Sequence, residues 1–433
     1  MSMLSQTYIG KYYEGNQELS VSTKSIPGQD NDSYVILGES GYGKSVAAQS
    51  IVLQKANQSY SVRSIDIHNS SAPEHLFPIF RKSFEHLSSQ IDAYNTPIPT
   101  TLFEPLHYAD GTMESPADLS YTLSNIIANH LRLSRSSTAV LSEALEHAIS
   151  DRDNNPDIFP AVHKTLEGFG TKASRNATAH LAPLLRHNIF RHQPVNHSFG
   201  IENIGLSKFP PLFKNVIVDL LLFDEFRTAS QGGQPPRYIY IDEMQNLSID
   251  KDCYLGKILT EGRKYSLNVI LASQSIREFN ASERTMLCQA NHKLLFHPAL
   301  LEVKYYAELL ASPQHRAEIS DLLRNLEVGQ CVFQGPIYIG EEAKPTCAPI
   351  CVNVSHLEDI ASASLSKSST LPLRLGRPSA MQAVAAPYRS RRIRCARCSS
   401  GIATGCCTAR PSGVSSRKRR CSSRRKAICT VPG

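Results

Sequence analysis

The sequence lacks two features that would direct it into a membrane or out of the cell. None of its 433 residues belongs to an apolar run of the length that a membrane-spanning helix requires, about 18 residues or more. The chain also lacks an opening basic segment followed by an apolar stretch, which is the pattern of a secretory signal. We therefore expect a cytoplasmic protein without a membrane span, in which scattered cysteines are reduced thiols.

Acidic residues are absent from the last part of the chain, and this absence explains the positive net charge. The segment 364–433 holds 16 of the 46 Lys and Arg residues and none of the 39 Asp and Glu residues, so residues 1–363 carry a net charge of −9. This acidic body gives no compositional support for DNA binding. Three interpretations of the predicted tail, 359–433, stay open: a disordered basic segment that binds nucleic acid, a metal knuckle around Cys395 and Cys398, or out-of-frame translation.

The clearest chemical signal is a glycine-rich motif near residue 40. The pattern G-x-x-x-x-G-K-[ST] is matched in full by Gly38, Glu39, Ser40, Gly41, Tyr42, Gly43, Lys44 and Ser45. An apolar strand pattern precedes the motif at Tyr34–Leu37, and a helical pattern follows it. In such a loop the backbone N–H groups and the lysine surround phosphates, and the hydroxyl ligates Mg²⁺. We therefore predict that these residues bind ATP, with Lys44 also assisting catalysis and Ser45 binding the metal.

A second element of the same site is an acidic pair that follows an apolar strand. Arg237–Ile241 has the character of a buried strand, and Asp242 and Glu243 follow it. This is the form of a Walker B element, in which the first acid holds Mg²⁺ and the second activates the attacking water. An acidic pair after a strand also commonly begins a helix. With the glycine-rich motif present, we predict that Asp242 is a metal ligand and Glu243 the general base.

A third polar residue is expected at the same edge of the sheet. The buried strand that begins at Leu267 ends in Ser273 and Gln274. Because the carboxyl ends of parallel strands meet at the ligand edge, Gln274 is predicted to lie between the two acids and the γ-phosphate. The alternative is a strand-end amide that only satisfies the next turn.

Signatures of two other nucleotide-binding classes are missing. The guanine-specificity motif [NT]KxD does not occur downstream of the glycine-rich loop, which argues against a GTPase. Ser230–Gln234 is similar to the signature loop of transporter ATPases, but only seven residues separate it from Asp242. That spacing cannot hold the helix expected there, so a glycine-rich loop is the better interpretation.

Strand and helix patterns alternate along most of the body. Apolar strand patterns separated by helical segments indicate an α/β fold with a mostly parallel sheet covered on both faces. From Ser115 to His192 the pattern is instead helical, with Ser115 as a helix cap and further helical stretches at Thr138–Ile149 and Thr178–Ile189. The predicted divisions are 1–32 as a short N-terminal segment, 33–113 as the first part of the ATPase core, 114–198 as an all-α insertion, 199–358 as the second part of the core, and 359–433 as the tail.

These motifs together resemble those of the HerA/FtsK superfamily of ring ATPases, which includes conjugation and secretion ATPases. The resemblance covers residues 30–355 and is carried by three segments: Ile239–Leu247, Ile258–Leu267 and Leu271–Ser275. Its most specific part is the sequence Glu261-Gly-Arg-Lys264 before the strand that ends at Gln274. Ser273 stands where the family usually has threonine, and the chain has no room before Gly38 for the N-terminal β-barrel of HerA itself.

The resemblance implies a RecA-like P-loop NTPase core that forms homo-hexamers, binds ATP between subunits and moves double-stranded DNA through the ring, as a helicase-type or conjugation translocase. It also implies that Arg263 acts near the γ-phosphate or the subunit interface. A helix C-terminal cation that complements the dipole is the other interpretation of Arg263. The alternatives for function are a secretion or defence ATPase that acts on protein partners, and a slow nucleotide-dependent assembly switch. A nuclease or a secretion-system protein is a candidate partner.

Overall fold

The computed structural model describes most of the chain body. The described residues are 6–13, 17–22, 31–71, 74–108, 111–193, 200–231, 236–251, 253–340 and 345–354. They all lie within one compact unit, Met1–Pro372. The predicted tail, 359–433, lies outside the described residues.

Fourteen strands occur among the described residues. They are β1 (Gln6–Tyr12), β2 (Glu18–Ser22), β3 (Tyr34–Leu37), β4 (Ser61–Asp66), β5 (Ser88–Asp92), β6 (Ile98–Thr100), β7 (Phe190–His192), β8 (Gly200–Gly205), β9 (Arg237–Ile241), β10 (Leu267–Ser273), β11 (His292–Phe296), β12 (Gln330–Gln334), β13 (Tyr338–Ile339) and β14 (Ile350–Asn353). Twelve of them form one sheet in the order β13-β2-β1-β14-β12-β11-β3-β10-β9-β4-β8-β5, while β6 and β7 pair separately.

Eleven α-helices accompany these strands in the described part of the chain. They are α1 (Lys44–Asn57), α2 (Pro78–Leu87), α3 (Pro116–Leu131), α4 (Arg135–Ser150), α5 (Ile158–Phe169), α6 (Lys172–His187), α7 (Pro211–Ser230), α8 (Tyr254–Glu261), α9 (Ala281–Leu287), α10 (Val303–Leu310) and α11 (Arg316–Arg324). None of these helices combines the length and apolar character needed to cross a membrane.

The large sheet has a parallel part and an antiparallel part. The strands β11, β3, β10, β9, β4, β8 and β5 pair in parallel. The remaining five strands pair antiparallel, and β12 joins them to β11. The predicted α/β fold with a mostly parallel sheet is confirmed, and the antiparallel extension is the part that the alternation pattern did not indicate.

Both faces of the central parallel strands β3, β9 and β10 are buried, because alternate side chains point into two different cores. Tyr34 and Ile36 of β3 pack with α1 and α2 on one face. Val35 and Leu37 of the same strand pack on the other face, with α7, α8 and the helical insertion. Every residue of β3 is therefore apolar, as expected for a central parallel strand.

The all-α insertion consists of four helices between β6 and β7. Ser115 caps α3 as predicted, because its side chain accepts a hydrogen bond from the backbone N–H of Asp118 at 3.0 Å. Ser134 and Thr171 cap α4 and α6 in the same way. Helices α3 to α6 pack on one another, and α3 also packs on α7 of the core. The inserted helical subdomain is thus confirmed, while its predicted boundaries at 114 and 198 stay a prediction.

The N-terminal residues contribute two strands, although the sequence predicted no strand before Tyr34. Strand β1 pairs with β14 and β2 in the antiparallel part of the sheet. Gln54 of α1 fixes β1 from the side, since its amide accepts from the backbone N–H of Tyr8 at 2.8 Å and donates to the Tyr8 carbonyl at 2.9 Å. The polar composition of this segment concealed both strands, because one side of each strand is only half-buried.

A buried ionic cluster ties the C-terminal end of α1 to the amino ends of three strands. Lys55 is fully buried, and its Nζ lies 2.5 Å from Oδ2 of Asp32. The same carboxylate accepts the Tyr238 hydroxyl at 2.5 Å, and its Oδ1 lies 3.2 Å from Nε2 of His292. Burial alone would raise the pKa of Asp32, but Lys55 and His292 outweigh burial and hold that pKa well below its usual range.

Candidate functional site

The glycine-rich loop connects β3 to α1 at the carboxyl edge of the parallel strands. A Cβ atom added to Gly38 would lie 2.5 Å from Cβ of Phe296, so only glycine fits beside β11. Gly43 has φ 110° and immediately precedes α1, a backbone conformation that favours glycine. The loop is anchored at its start, where the N–H of Glu39 donates to the carbonyl of His297 at 2.8 Å. The N-terminus of α1 therefore faces the space that the loop encloses, which is the geometry of a phosphate site.

Lys44 is buried within this loop and does not extend into solvent. Its Nζ donates to the backbone carbonyl of Glu39 at 2.9 Å. Burial lowers the pKa of Lys44, and the negative charges of Asp242, Glu243 and Glu39 oppose this shift. The lysine thus lies in the field of both predicted catalytic acids, which brings the two motifs to one site.

Neighbouring loops hold the glycine-rich loop from outside. The ring of Tyr42 stacks on His297, with centroids 4.4 Å apart and planes 10° apart. The carbonyl of Tyr42 accepts from the N–H of Gly329 at 3.1 Å. Ser40, Gly41 and Ser45 are exposed or nearly so and lie free of the packed core. The loop is therefore fixed at its ends, while its central residues face outward.

The acidic pair lies where β9 ends. Asp242 has its pKa raised by burial and by the adjacent charge of Glu243. Glu243 has φ 57° and ψ 47°, a left-handed conformation that is uncommon for glutamate. The turn at Glu243 leads into the short 3-10 segment Met244–Asn246, and the N–H of Glu243 donates to Oδ1 of Asp242 at 2.9 Å.

Magnesium fits this group of donors. A half-buried carboxylate whose pKa is raised by a second carboxylate gains from a divalent cation beside it, and oxygen atoms are the ligands that Mg²⁺ prefers. Ser45 adds a hydroxyl oxygen at the first turn of α1. Asp242 and Ser45 are therefore the residues that would hold the ion.

Gln274 contacts the predicted general base directly. Strand β10 lies between β3 and β9 and is parallel to both, so its carboxyl end emerges between the glycine-rich loop and the acids. Nε2 of Gln274 donates to Oε1 of Glu243 at 2.7 Å. The preceding Ser273 donates through its hydroxyl to Oε1 of Gln245 at 2.8 Å. The predicted position of Gln274 beside the acids agrees with this geometry, and its role in catalysis stays a prediction.

Arg263 does not join the site within one chain. It is exposed, in a 3-10 segment that follows α8 and precedes β10. The site lies at the opposite end of β10, and a strand of this length spans about 20 Å. No contact among the described residues connects Arg263 with the glycine-rich loop or with Glu243. An arginine side chain cannot bridge that distance, so any role at a nucleotide requires the nucleotide of a neighbouring subunit.

Sequence reasoning missed the loop after β4. His68 lies with Nε2 3.3 Å from Oε2 of Glu243, and the hydroxyl of Ser70 contacts the carboxylate of Asp242. Strand β4 is the neighbour of β9 on the side away from β10. The order of strands in the sheet brings the loop after β4 to the acids.

Two kinds of comparison by sequence found nothing: no protein-family model and no curated protein sequence matches the chain. Comparison of the fold with solved structures did find matches. VirB4 of Thermoanaerobacter pseudethanolicus aligns with a TM-score of 0.60 and 17% identity, over 82% of this chain and 98% of that chain. The plasmid coupling protein TrwB, solved with ADP and Mg²⁺, aligns with a TM-score of 0.50 and 13% identity, over 75% of this chain and 86% of that chain. TrwB solved with a non-hydrolysable ATP analogue aligns with a TM-score of 0.50 and 12% identity, over 76% and 87%.

These identities support a shared fold. The matches cover nearly all of VirB4 and most of TrwB. The chain therefore shares the fold of VirB4 and TrwB, and the predicted P-loop NTPase core is confirmed at the level of the fold.

Proposed function

We propose that this chain is a Mg²⁺-dependent ATPase whose turnover drives double-stranded DNA through a homo-hexameric ring. The observation that carries the ATPase part is the contact between Gln274 and Glu243 at the carboxyl edge of β10, beside the loop that holds Lys44. It joins a γ-phosphate sensor to a general base, which a protein that only binds nucleotide does not need.

Each residue of the site has a distinct role in this proposal. Backbone N–H groups of the loop 38–45 surround the phosphates, and Lys44 leaves the Glu39 carbonyl to contact the β- and γ-phosphates. Glu243 accepts a proton from the attacking water, and Gln274 orients that carboxylate. Mg²⁺, held by Ser45 and Asp242, supplies charge neutralisation on the phosphates when it is bound.

The position of Arg263 supports a ring rather than a single subunit. It lies too far from the site of its own chain, and it is exposed where an adjacent subunit can receive it. A cation that reaches the γ-phosphate from a neighbour stabilises the charge of the transition state, as arginine fingers do. In this proposal Arg263 completes the ATP site of the next subunit.

DNA is the substrate that the neighbour TrwB favours, since TrwB is described as a plasmid coupling protein. The alternative is a secretion ATPase that acts on protein partners. The two proposals share the ATP site and differ in what stimulates it.

Double-stranded DNA is expected to increase the ATPase rate of the full chain at least tenfold. Coupled motors hydrolyse ATP slowly until the substrate shifts the subunits to the competent state. The measurement is steady-state phosphate release with and without a linear duplex, alongside the mass in solution, which we expect to be six times that of the 47.8 kDa chain.

A charge control separates specific stimulation from binding to a polyanion. Heparin at the same charge concentration is expected to leave the rate unchanged. A rate that DNA does not raise, with a hexameric mass, would replace DNA by a protein partner. A monomeric mass under all nucleotide conditions would contradict the ring, and a rate near zero would favour the assembly switch.

A further inference from the structure

We propose that His68, on the loop after β4, is the positioning residue that orients the catalytic carboxylate of Glu243. The proposal rests on the proposed ATPase function, because it concerns the general base of that reaction. His68 does not contact nucleotide in this account. It acts only through Glu243.

The two oxygens of Glu243 are held by two different elements. Gln274, directly after β10, donates to Oε1 at 2.7 Å, and Nε2 of His68 lies 3.3 Å from Oε2. The two donors approach from neighbours on opposite sides of β9, since β10 and β4 flank that strand. A carboxylate held at one oxygen can still rotate, whereas one held at both oxygens has a single orientation.

His68 has a second neighbour that competes for the same nitrogen. Nδ2 of Asn246 lies 3.1 Å from Nε2 of His68. The nitrogen donates to Glu243 when it carries a hydrogen, and it can accept from Asn246 only when it does not. When Nε2 carries a hydrogen, rotation of the Asn246 amide turns its oxygen towards Nε2, and the charge-assisted contact with the carboxylate of Glu243 is then open to His68.

The backbone around His68 is fixed independently of Glu243. The buried carboxylate of Asp66 accepts from the N–H groups of His68, Ser70 and Ser71 at 3.2, 2.8 and 2.8 Å. An aspartate that accepts three backbone hydrogen bonds fixes the conformation of the turn that follows it. The backbone that carries His68 is therefore held in one conformation.

A second element holds the same loop from the side of α7. Nζ of the buried Lys214 donates to the carbonyl of Ile67 at 2.8 Å. Ser70, on the same loop, contacts Asp242. One short loop thus touches both catalytic carboxylates, while its own position is set by β4 and α7.

The general base needs this restraint because its backbone is unusual and its side chain is partly exposed. Glu243 has left-handed backbone angles and a side chain that is 26% exposed. A base must lie within hydrogen-bond reach of the water it activates, and misplacement by about 1 Å costs about 10²-fold in rate. His68 is itself 41% exposed, so its side chain contributes little to the core.

The test compares His68→Ala, His68→Gln and the control His75→Ala in the full chain. His75 is an exposed histidine shortly after the same loop. We expect His68→Ala to lower kcat about 10- to 100-fold with KM for ATP and the thermal midpoint unchanged. Glutamine also carries an N–H donor, so His68→Gln is expected to restore most of kcat, and His75→Ala to match the wild type.

The same substitution in a Glu243→Gln background tests whether His68 acts through Glu243. With the base removed, adding His68→Ala is expected to change the residual rate less than twofold, because the two residues act as one unit. An unchanged or increased kcat in His68→Ala would overturn the positioning role, and so would equal losses in the alanine and glutamine variants. If the wild type turns over ATP, Glu243→Gln abolishes this turnover and His68→Ala has no effect, the inference about His68 is refuted while the proposed function stands. Absence of turnover in the wild type refutes the proposed function together with it.

Discussion

Replacing Glu243 with glutamine is expected to lower ATP turnover about 10²- to 10⁴-fold, the range that a positioned general base contributes. Glutamine has the same shape and retains an oxygen that accepts from Gln274, which now lies 2.7 Å from Glu243. It cannot take a proton from water at neutral pH. The substitution also removes one of the negative charges that face Lys44, so ATP binding should be retained or strengthened. Phosphate release and equilibrium binding of a fluorescent ATP analogue measure the two effects separately.

Lys44→Ala gives the contrasting pattern. It removes the charge that contacts the phosphates, so binding and turnover are expected to fall together. The matched control for both is Glu318→Gln, a change of one exposed carboxylate on α11 with 79% of its side chain exposed. Equal ATPase rates in the wild type and Glu243→Gln would contradict the assignment of the base, and loss of binding in Glu243→Gln would point to a structural role instead.

The second large effect concerns stability. Lys55→Met is expected to lower the free energy of unfolding by about 3–5 kcal/mol. The substitution removes one partner of a buried ion pair and leaves the buried negative charge of Asp32 without the cation that compensates it. Methionine keeps the volume and length of the side chain, so cavity formation contributes little. Denaturant-induced unfolding followed by circular dichroism measures the change.

An exposed ion pair with the same N···O distance provides the control. Lys208 and Asp92 are also 2.5 Å apart, but their side chains are 54% and 41% exposed. Lys208→Met is therefore expected to cost about 1 kcal/mol or less. Similar losses in both variants would contradict the account of the cluster. Because the pKa of Asp32 is held below its usual range, the stabilisation should be present above about pH 4 and decline as the pH falls further.

The parallel part of the fold and the location of the site could be predicted because local patterns determine them. β3, the glycine-rich loop and α1 are contiguous, and the parallel strands β3, β9 and β10 each have a buried apolar pattern. Strands of this kind end at one common edge. The polar residues after β9 and β10, including Gln274, could therefore be assigned to the same site as Lys44.

The antiparallel strands and the loop of His68 could not be predicted, for a different reason. Strands β1 and β14 pair with each other although most of the sequence lies between them, and Lys11 is opposite Asn353. No local sequence pattern indicates so distant a partner. His68 reaches Glu243 only because β4 is inserted beside β9. A lone histidine after a strand carries no sequence signal for a carboxylate 175 residues away.

The role that the family resemblance implies for Arg263 involves contacts between subunits, which a single chain does not contain. The resemblance implies a role near the γ-phosphate or the subunit interface, and the structure separates Arg263 from the site of its own chain along the length of β10. A contact between Arg263 and a γ-phosphate would therefore require a neighbouring subunit.

Displacement of a third strand from a DNA triplex tests the central claim of ATP-driven movement along double-stranded DNA. The full chain is incubated with a duplex that carries a labelled triplex-forming oligonucleotide at one end, and release of the label is followed over time. The account predicts release with ATP and Mg²⁺, and none with a non-hydrolysable analogue or with Glu243→Gln. ATP hydrolysis that DNA stimulates, without release of the third strand, would contradict translocation.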